Sequence, residues 1–117
     1  MYKVSKRMEI AGSHQLKLDY DSPCQNLHGH NWIITVYCKS THLDQNGMVV
    51  DFAKVKKAIH GRLDHGNLND IVDFNPTAEN IAKWVADEIT PMCAEGGYCY
   101  KVDVQESEGN IATYEVE

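Results

Sequence analysis

The sequence predicts an α+β domain in the order ββααββ, with an antiparallel sheet carrying two helices on one face. Period-two alternation of apolar and polar residues marks strands at both ends of the chain. Apolar residues at helical spacing mark two segments in the middle, and clusters of turn formers separate the pieces.

Residues 3–14 alternate, with Val4, Met8, Ile10 and His14 on one face and Lys3, Ser5, Arg7 and Glu9 on the other. Asp19, Asp21, Ser22, Pro23 and Asn26 make 15–27 an irregular loop. A second strand over 28–38 puts His28, His30, Trp32, Ile34, Val36 and Cys38 on one face. Asp44-Gln45-Asn46-Gly47 is a turn, and Met48-Val49-Val50 is read as a short extended piece. Asp51 caps a helix whose apolar face is Phe52, Val55, Ile59 and Leu63. That helix ends before Asp64-His65-Gly66-Asn67.

Thr77 caps a second helix, where Glu79 sits at the positive N-terminal end. Ala78, Ile81, Val85, Ile89 and Met92 line its apolar face, with Trp84 beside them and Pro91 at its end. Residues 98–106 alternate again, with Tyr98, Tyr100, Val102, Val104 and Glu106 on one parity. Ser107-Glu108-Gly109-Asn110 is a hairpin turn into a last strand over 111–116. A four-stranded sheet of this kind has exposed edges, and oligomerisation is one way to cover them.

The 117 residues are expected to form a single domain, 1–117. Apolar residues at 43% and charged residues at 24% are ordinary for a globular protein. A formal charge of −6 argues against sequence-independent binding to nucleic acid or to an anionic membrane, and leaves a small anionic substrate open. No apolar run approaches a membrane span, and the N-terminus lacks a secretory h-region, so a cytoplasmic protein is expected. Cys24, Cys38, Cys93 and Cys99 form no C-x-x-C pair and are expected to be free thiols. Cys38 and Cys93 read as core residues, while Cys99 falls on the polar phase of its segment.

Function is concentrated in H-x13-H-x-H, formed by His14, His28 and His30. His28 and His30 are two apart on a strand, so their rings point the same way, and His14 ends another strand in matching phase. Three imidazoles without a fourth protein ligand are a catalytic zinc set, with one position open. Such a zinc ion would polarise a carbonyl or acidify a hydroxyl. Gly29 between the histidines suggests a close backbone approach. The alternative is an H-G-H that simply begins a strand.

Cys24 lies four residues before His28, and its thiolate would be a base or nucleophile beside a cation, or else a free surface thiol. Asp64-His65 is a possible proton relay or a solvated turn. Glu106 is acidic on an apolar face, suited to gripping a guanidine-like edge or to emerging into water at a strand end. His42 and His60 join neither group and are expected to be solvated.

Taken in order, Cys24-x3-His28-Gly29-His30, Asp51-Phe52, Leu63-Asp64-His65-x2-Leu68-Asn69, Pro76-Thr77-x-Glu79-Asn80 and Glu106-Ser107 resemble the 6-pyruvoyltetrahydropterin and 6-carboxytetrahydropterin synthase family. Each motif is weak alone, and the ordered set, reaching from His14 to Glu106, is specific. The short C-x3-HGH spacing is similar to that of the bacterial queuosine-pathway members. Two positions depart from the family pattern. Ala11-Gly12-Ser13 stands where an Ala-Ala pair is common, and Ser107 stands where Thr is usual.

The resemblance implies the tunnelling fold, whose ββααββ subunits close an oligomeric β-barrel as a trimer or stacked hexamer with active sites at subunit interfaces. It implies a zinc-dependent lyase acting on a pterin triphosphate, 7,8-dihydroneopterin triphosphate. His14, His28 and His30 would be the Zn2+ ligands and Cys24 the general base. Asp64 and His65 would form a relay supplied by a neighbouring subunit. Glu106 would anchor the pterin, with Thr77 and Glu79 shaping its pocket.

Overall fold

The computed structural model describes residues 1–116. Strands β1 (Tyr2–His14) and β2 (His28–Ser40) form a long antiparallel pair. Helix α1 (Phe52–Leu63) is followed by a two-residue strand β3 (Gly66–Asn67) and a single helical turn α2 (Leu68–Ile71). Helix α3 (Ala78–Ile89), β4 (Tyr98–Ser107) and β5 (Asn110–Glu115) complete the chain. The sheet therefore has five strands in the order β3-β1-β2-β4-β5. The fifth strand is the difference from the sequence reading. β3 pairs parallel with β1 only at Gly12 and Ser13, too short a stretch to leave an alternating pattern.

The helices cap as the sequence predicts. Asp51 accepts a hydrogen bond from the Ala53 amide, and Thr77 Oγ1 accepts one from the Asn80 amide. Val55, Ile59 and Leu63 of α1 and Ile81, Val85 and Ile89 of α3 pack with Ile10, Trp32, Ile34, Val102 and Val104 in one cluster on one sheet face. Val49 and Val50 are buried but pair with no strand; the Val49 carbonyl instead accepts from the Ala94 amide. None of the described helices is long and apolar enough to cross a membrane.

Two register shifts on β4 rearrange what simple alternation predicts. The register passes from Tyr37↔Lys101 to Cys38↔Cys99, so β4 carries an extra residue, Tyr100, opposite one step of β2. Cys99 is thereby turned into the core beside Cys38, not onto the polar phase. Tyr100 instead faces the outer surface, its ring centroid 4.9 Å from Lys39 Nζ and 6.3 Å from the Tyr37 ring. The Cys38, Cys93 and Cys99 thiols, all free, cluster here, and the hydrogen bonding of the Cys38 S–H to its two neighbours, with its burial, holds the Cys38 thiol well above its usual pKa. The second shift lies between Gln105 and Ser107, at Glu106.

Gly97 begins the approach to β4 where no side chain fits. A Cβ there would lie 2.9 Å from Ser40 Cβ and 3.0 Å from the Ala94 and Lys39 carbonyl oxygens. Two of these neighbours are backbone and cannot swing aside. Gly97→Ala is expected to destabilise the protein by about 1–3 kcal/mol, read as a lower urea midpoint at unchanged slope.

Candidate metal centre

The pairing of β1 with β2 runs without a shift from Tyr2↔Ser40 to His14↔His28. This places His14 directly opposite His28, with His30 two residues further on the same face. The ring centroids stand 4.6 Å apart for His14 and His28, 4.7 Å for His28 and His30, and 5.2 Å for His14 and His30. Trp32 closes the inner side, 4.8 Å from the His14 ring, and its indole N–H donates to the Gly12 carbonyl at 3.1 Å. The three histidines named from spacing therefore converge.

Their hydrogen bonds set which nitrogen is available. His14 Nδ1 lies 2.8 Å from the Pro76 carbonyl and His28 Nδ1 lies 2.7 Å from the Asn26 carbonyl. A carbonyl can only accept, so both Nδ1 atoms carry the proton and both Nε2 atoms present lone pairs when the rings are neutral. Those Nε2 atoms are 3.0 Å apart. Two lone pairs at that distance repel unless a cation or a proton sits between them. His14 is wholly buried, and burial pushes its pKa down, opposed by the Pro76 hydrogen bond and the Glu106 charge. Burial thus favours the neutral ring that a metal requires. A ring N–H held by a backbone carbonyl is also the usual orienting contact of a metal-bound histidine.

Glu106 enters the same group. Its Oε1 is 3.2 Å from His30 Nε2 and its Oε2 is 4.0 Å from His14 Nε2. His30 Nε2 is buried and has no hydrogen-bond partner among the described residues, so its approach to Glu106 is not aligned as a hydrogen bond. One ligand atom from each of His14, His28, His30 and Glu106 lies within 4.8 Å of the others. Three imidazole nitrogens and a carboxylate oxygen are a donor set that suits zinc. Glu106 thus stands beside the three imidazoles expected from the sequence as a further possible donor. Glu106 keeps the parity of the buried Val102 and Val104, so its carboxylate faces the cluster, and a break in the β4–β5 pairing falls at the same residue.

The other sequence-predicted residues surround this centre without joining it. Cys24 is half-buried in a short 3-10 turn, Pro23–Gln25, and lies outside the four-residue group. Its amide donates to Ser22 Oγ, and its carbonyl accepts from the Leu16 amide at 2.9 Å, tying the loop to the end of β1. Asp64 ends α1, where its Oδ1 accepts from the Ala11 amide at 2.9 Å. His65 follows in a left-handed conformation (φ 57°), 83% exposed, with Nε2 3.3 Å from Asp64 Oδ2. His65 lines an open cleft that also touches His30 and Gly29. A Cβ on Gly29 would meet only the Gly12 carbonyl, at 3.9 Å, so Gly29 faces this cleft and is not crowded by backbone. Glu79 and Glu106 share a second cleft with Asn110 and Thr113. Thr77 serves as the α3 cap, one residue after the carbonyl that holds His14.

Three residues escaped the sequence reading. His60 is part-exposed, as expected, but also has a partner: its Nε2 stands 3.6 Å from Asp64 Oδ2, one helical turn on. The i,i+4 spacing was the available signal. The Asn69 side chain hydrogen-bonds both the amide and the carbonyl of Gln15, and Asn75 does the same to Lys17. These two amides clamp the chain as it leaves His14. Asn69 stood in a quoted motif, but backbone clamping has no spacing rule that reveals it.

A family model described as 6-pyruvoyl tetrahydropterin synthase matches residues 3–117. The chain is 32% identical over 95 residues to the 6-carboxy-5,6,7,8-tetrahydropterin synthase of Bacillus subtilis, covering 75% of this chain and 65% of that one, so it spans just under two thirds of that relative. It is 37% identical over 90 residues to the dihydroneopterin monophosphate aldolase of Pyrococcus furiosus, covering 74% of each. The structure of Caenorhabditis elegans 6-pyruvoyl tetrahydropterin synthase superposes with a TM-score of 0.75 at 27% identity, over 99% of this chain and 96% of that one.

The Asp64 carboxyl is held below its usual pKa, first by the Ala11 amide and then, against some burial, by His65 and His60. A lowered pKa means that the charged form supports the fold. Its contribution is complete above the ordinary aspartate range and is lost as the pH falls through the lowered value. The melting-temperature gap between the wild type and Asp64→Asn should therefore stay constant above about pH 5 and narrow below about pH 4.

Proposed function

We propose that this chain, which belongs to the 6-pyruvoyl tetrahydropterin synthase family, is a zinc-dependent lyase. The proposed reaction converts 7,8-dihydroneopterin triphosphate into 6-carboxy-5,6,7,8-tetrahydropterin, acetaldehyde and triphosphate, for queuosine biosynthesis. The observation that carries the reading is the convergence of His14, His28, His30 and Glu106. Similarity to the Bacillus enzyme and the short Cys24-x3-His28 spacing favour the carboxy product.

His14, His28 and His30 would hold the zinc ion. Zinc supplies a Lewis acid that makes nearby side-chain hydroxyls of a substrate more acidic. Glu106 accepts two parallel hydrogen bonds from the 2-amino and N3 edge of the pterin, fixing the ring. Thr77 and Glu79 shape that end of the pocket. Cys24, as the thiolate, removes a proton from the substrate side chain. The Asp64 carboxylate steers the His65 ring, which moves protons between substrate positions. His60 shares the same carboxylate oxygen and helps to hold it charged.

We further propose a homo-oligomer, a trimer or a hexamer of two trimers, with active sites between subunits. β3 covers β1 only at Gly12 and Ser13, and β5 is the other edge of the sheet. Barrel closure between copies would satisfy both edges. A neighbouring subunit would then bring Asp64 and His65 to the zinc and Cys24 of this one. A cytoplasmic location fits a soluble pterin triphosphate as substrate.

Identity to the Pyrococcus relative favours a second reading, an aldolase. One assay separates them. Incubation of the zinc-loaded protein with dihydroneopterin triphosphate should release acetaldehyde and free triphosphate. Triphosphate without acetaldehyde would assign the pyruvoyl-type reaction, and a two-carbon aldehyde that keeps its phosphate would assign the aldolase. Chelation should abolish turnover and added zinc should restore it. Cys24→Ala should lower kcat by at least about 10²-fold, and retained turnover in that variant would remove Cys24 from the role of base.

A further inference from the structure

The carboxylate of Glu106 stands in two places at once in the chemistry proposed above. Its Oε1 is 3.2 Å from His30 Nε2, inside the group of ligand atoms that all lie within 4.8 Å of one another. It also lines the cleft shared with Glu79, Asn110 and Thr113, through which a flat heterocycle would approach. A carboxylate turned to a metal beside His30 cannot at the same time present both oxygens in line to the two parallel N–H donors of a pterin edge. We infer that Glu106 is the fourth ligand of the metal before a pterin binds, and that the pterin draws it off, opening the fourth position only when substrate is present.

Three observations carry this beyond an anchor that merely lies nearby. The contact with His30 is not aligned as a hydrogen bond, although a ring nitrogen and a carboxylate oxygen lie 3.2 Å apart. Both atoms belong to the group whose ligand atoms lie close enough together to share one ion. Glu106 lies at the shift between the Gln105↔Ile111 and Ser107↔Asn110 pairs, so its backbone is not locked into the ladder on either side. Its side chain is 25% exposed and lines the cleft beside Glu79, where His14 is wholly buried, so it has room to turn outward.

A closed set of three imidazoles and one carboxylate leaves no open position, which is the arrangement of a structural site. Removing the carboxylate converts it into the open arrangement that chemistry needs. The pterin edge offers two parallel N–H donors in exchange, a charge-assisted bidentate pair that compensates the carboxylate for leaving the metal. The device would couple recognition of the ring at one end of the substrate to exposure of the metal at the other.

This inference rests on the zinc-lyase reading, and linkage tests it separately. Metal and pterin compete for one carboxylate, so each must weaken the other by the same factor. The probe is 6-methylpterin, which has the ring edge but no side-chain hydroxyl to offer the metal. Its affinity for the full chain, from fluorescence titration, should fall about fivefold or more when zinc is loaded. Zinc affinity, from chelator competition, should fall equally when 6-methylpterin is added. Glu106→Gln should weaken zinc binding about tenfold or more and abolish the coupling. Equal pterin affinity with and without zinc, in wild-type protein that binds zinc, overturns the inference and leaves the zinc lyase standing. Coupling that persists in Glu106→Gln also overturns it. Failure of the wild-type chain to bind zinc removes both.

Discussion

The hydrogen bond from His14 Nδ1 to the Pro76 carbonyl is the joint on which the site is built. It links the end of β1 to the residue just before the α3 cap, 62 positions away in sequence, inside a fully buried environment. It fixes the ring tautomer, so Nε2 points at His28 with a lone pair. It also positions the start of α3, whose first turn carries Glu79 into the cleft that Glu106 lines. Asn69 and Asn75 reinforce the joint by gripping the backbone of Gln15 and Lys17. The chain that leaves His14 therefore starts its loop towards Cys24 from a fixed origin.

Much of this was readable in the residues, and the reason is periodicity. β1 and β2 pair without a shift, so parity alone put His14, His28 and His30 on the core face with Trp32. α1 and α3 begin at Asp51 and Thr77 because short polar side chains cap them, a local rule. The reading failed where geometry departs from period two. The extra residue at Tyr100 reversed the faces of Cys99 and Tyr100. The two residues of β3 were too few to show a pattern. The grip of Asp64 on His60 as well as His65 joins two groups that the sequence separates by a helical turn.

The two register shifts on β4 do different work. The one near Tyr100 faces away from the helices and brings three thiols together in the core. These thiols fill the core as small apolar groups, and the buried Cys38 is held in its neutral form. The shift at Glu106 lies at the opposite end of the strand, where an acidic side chain stands among imidazoles. Parity with Val102 and Val104 already turns Glu106 to the core face, where it meets both the imidazoles and the cleft beside Glu79.

Asp64 and Glu106 are held in opposite ways, and the contrast fits the two different roles proposed for them. Asp64 is pinned by a backbone amide, a donor that cannot move, and that bond is the main reason its pKa is lowered. A base whose charge and position are both fixed can only orient the imidazole beside it. Glu106 receives no such backbone bond; its neighbours are side chains and an open cleft. In the proposed exchange its position would be set by whichever cation or donor pair competes best. If Asp64 serves the proposed relay and Glu106 the proposed anchor, fixing the first and leaving the second free would separate proton movement from substrate recognition. Only a carboxylate of the second kind can report the arrival of a ring edge to a metal centre a few ångströms away.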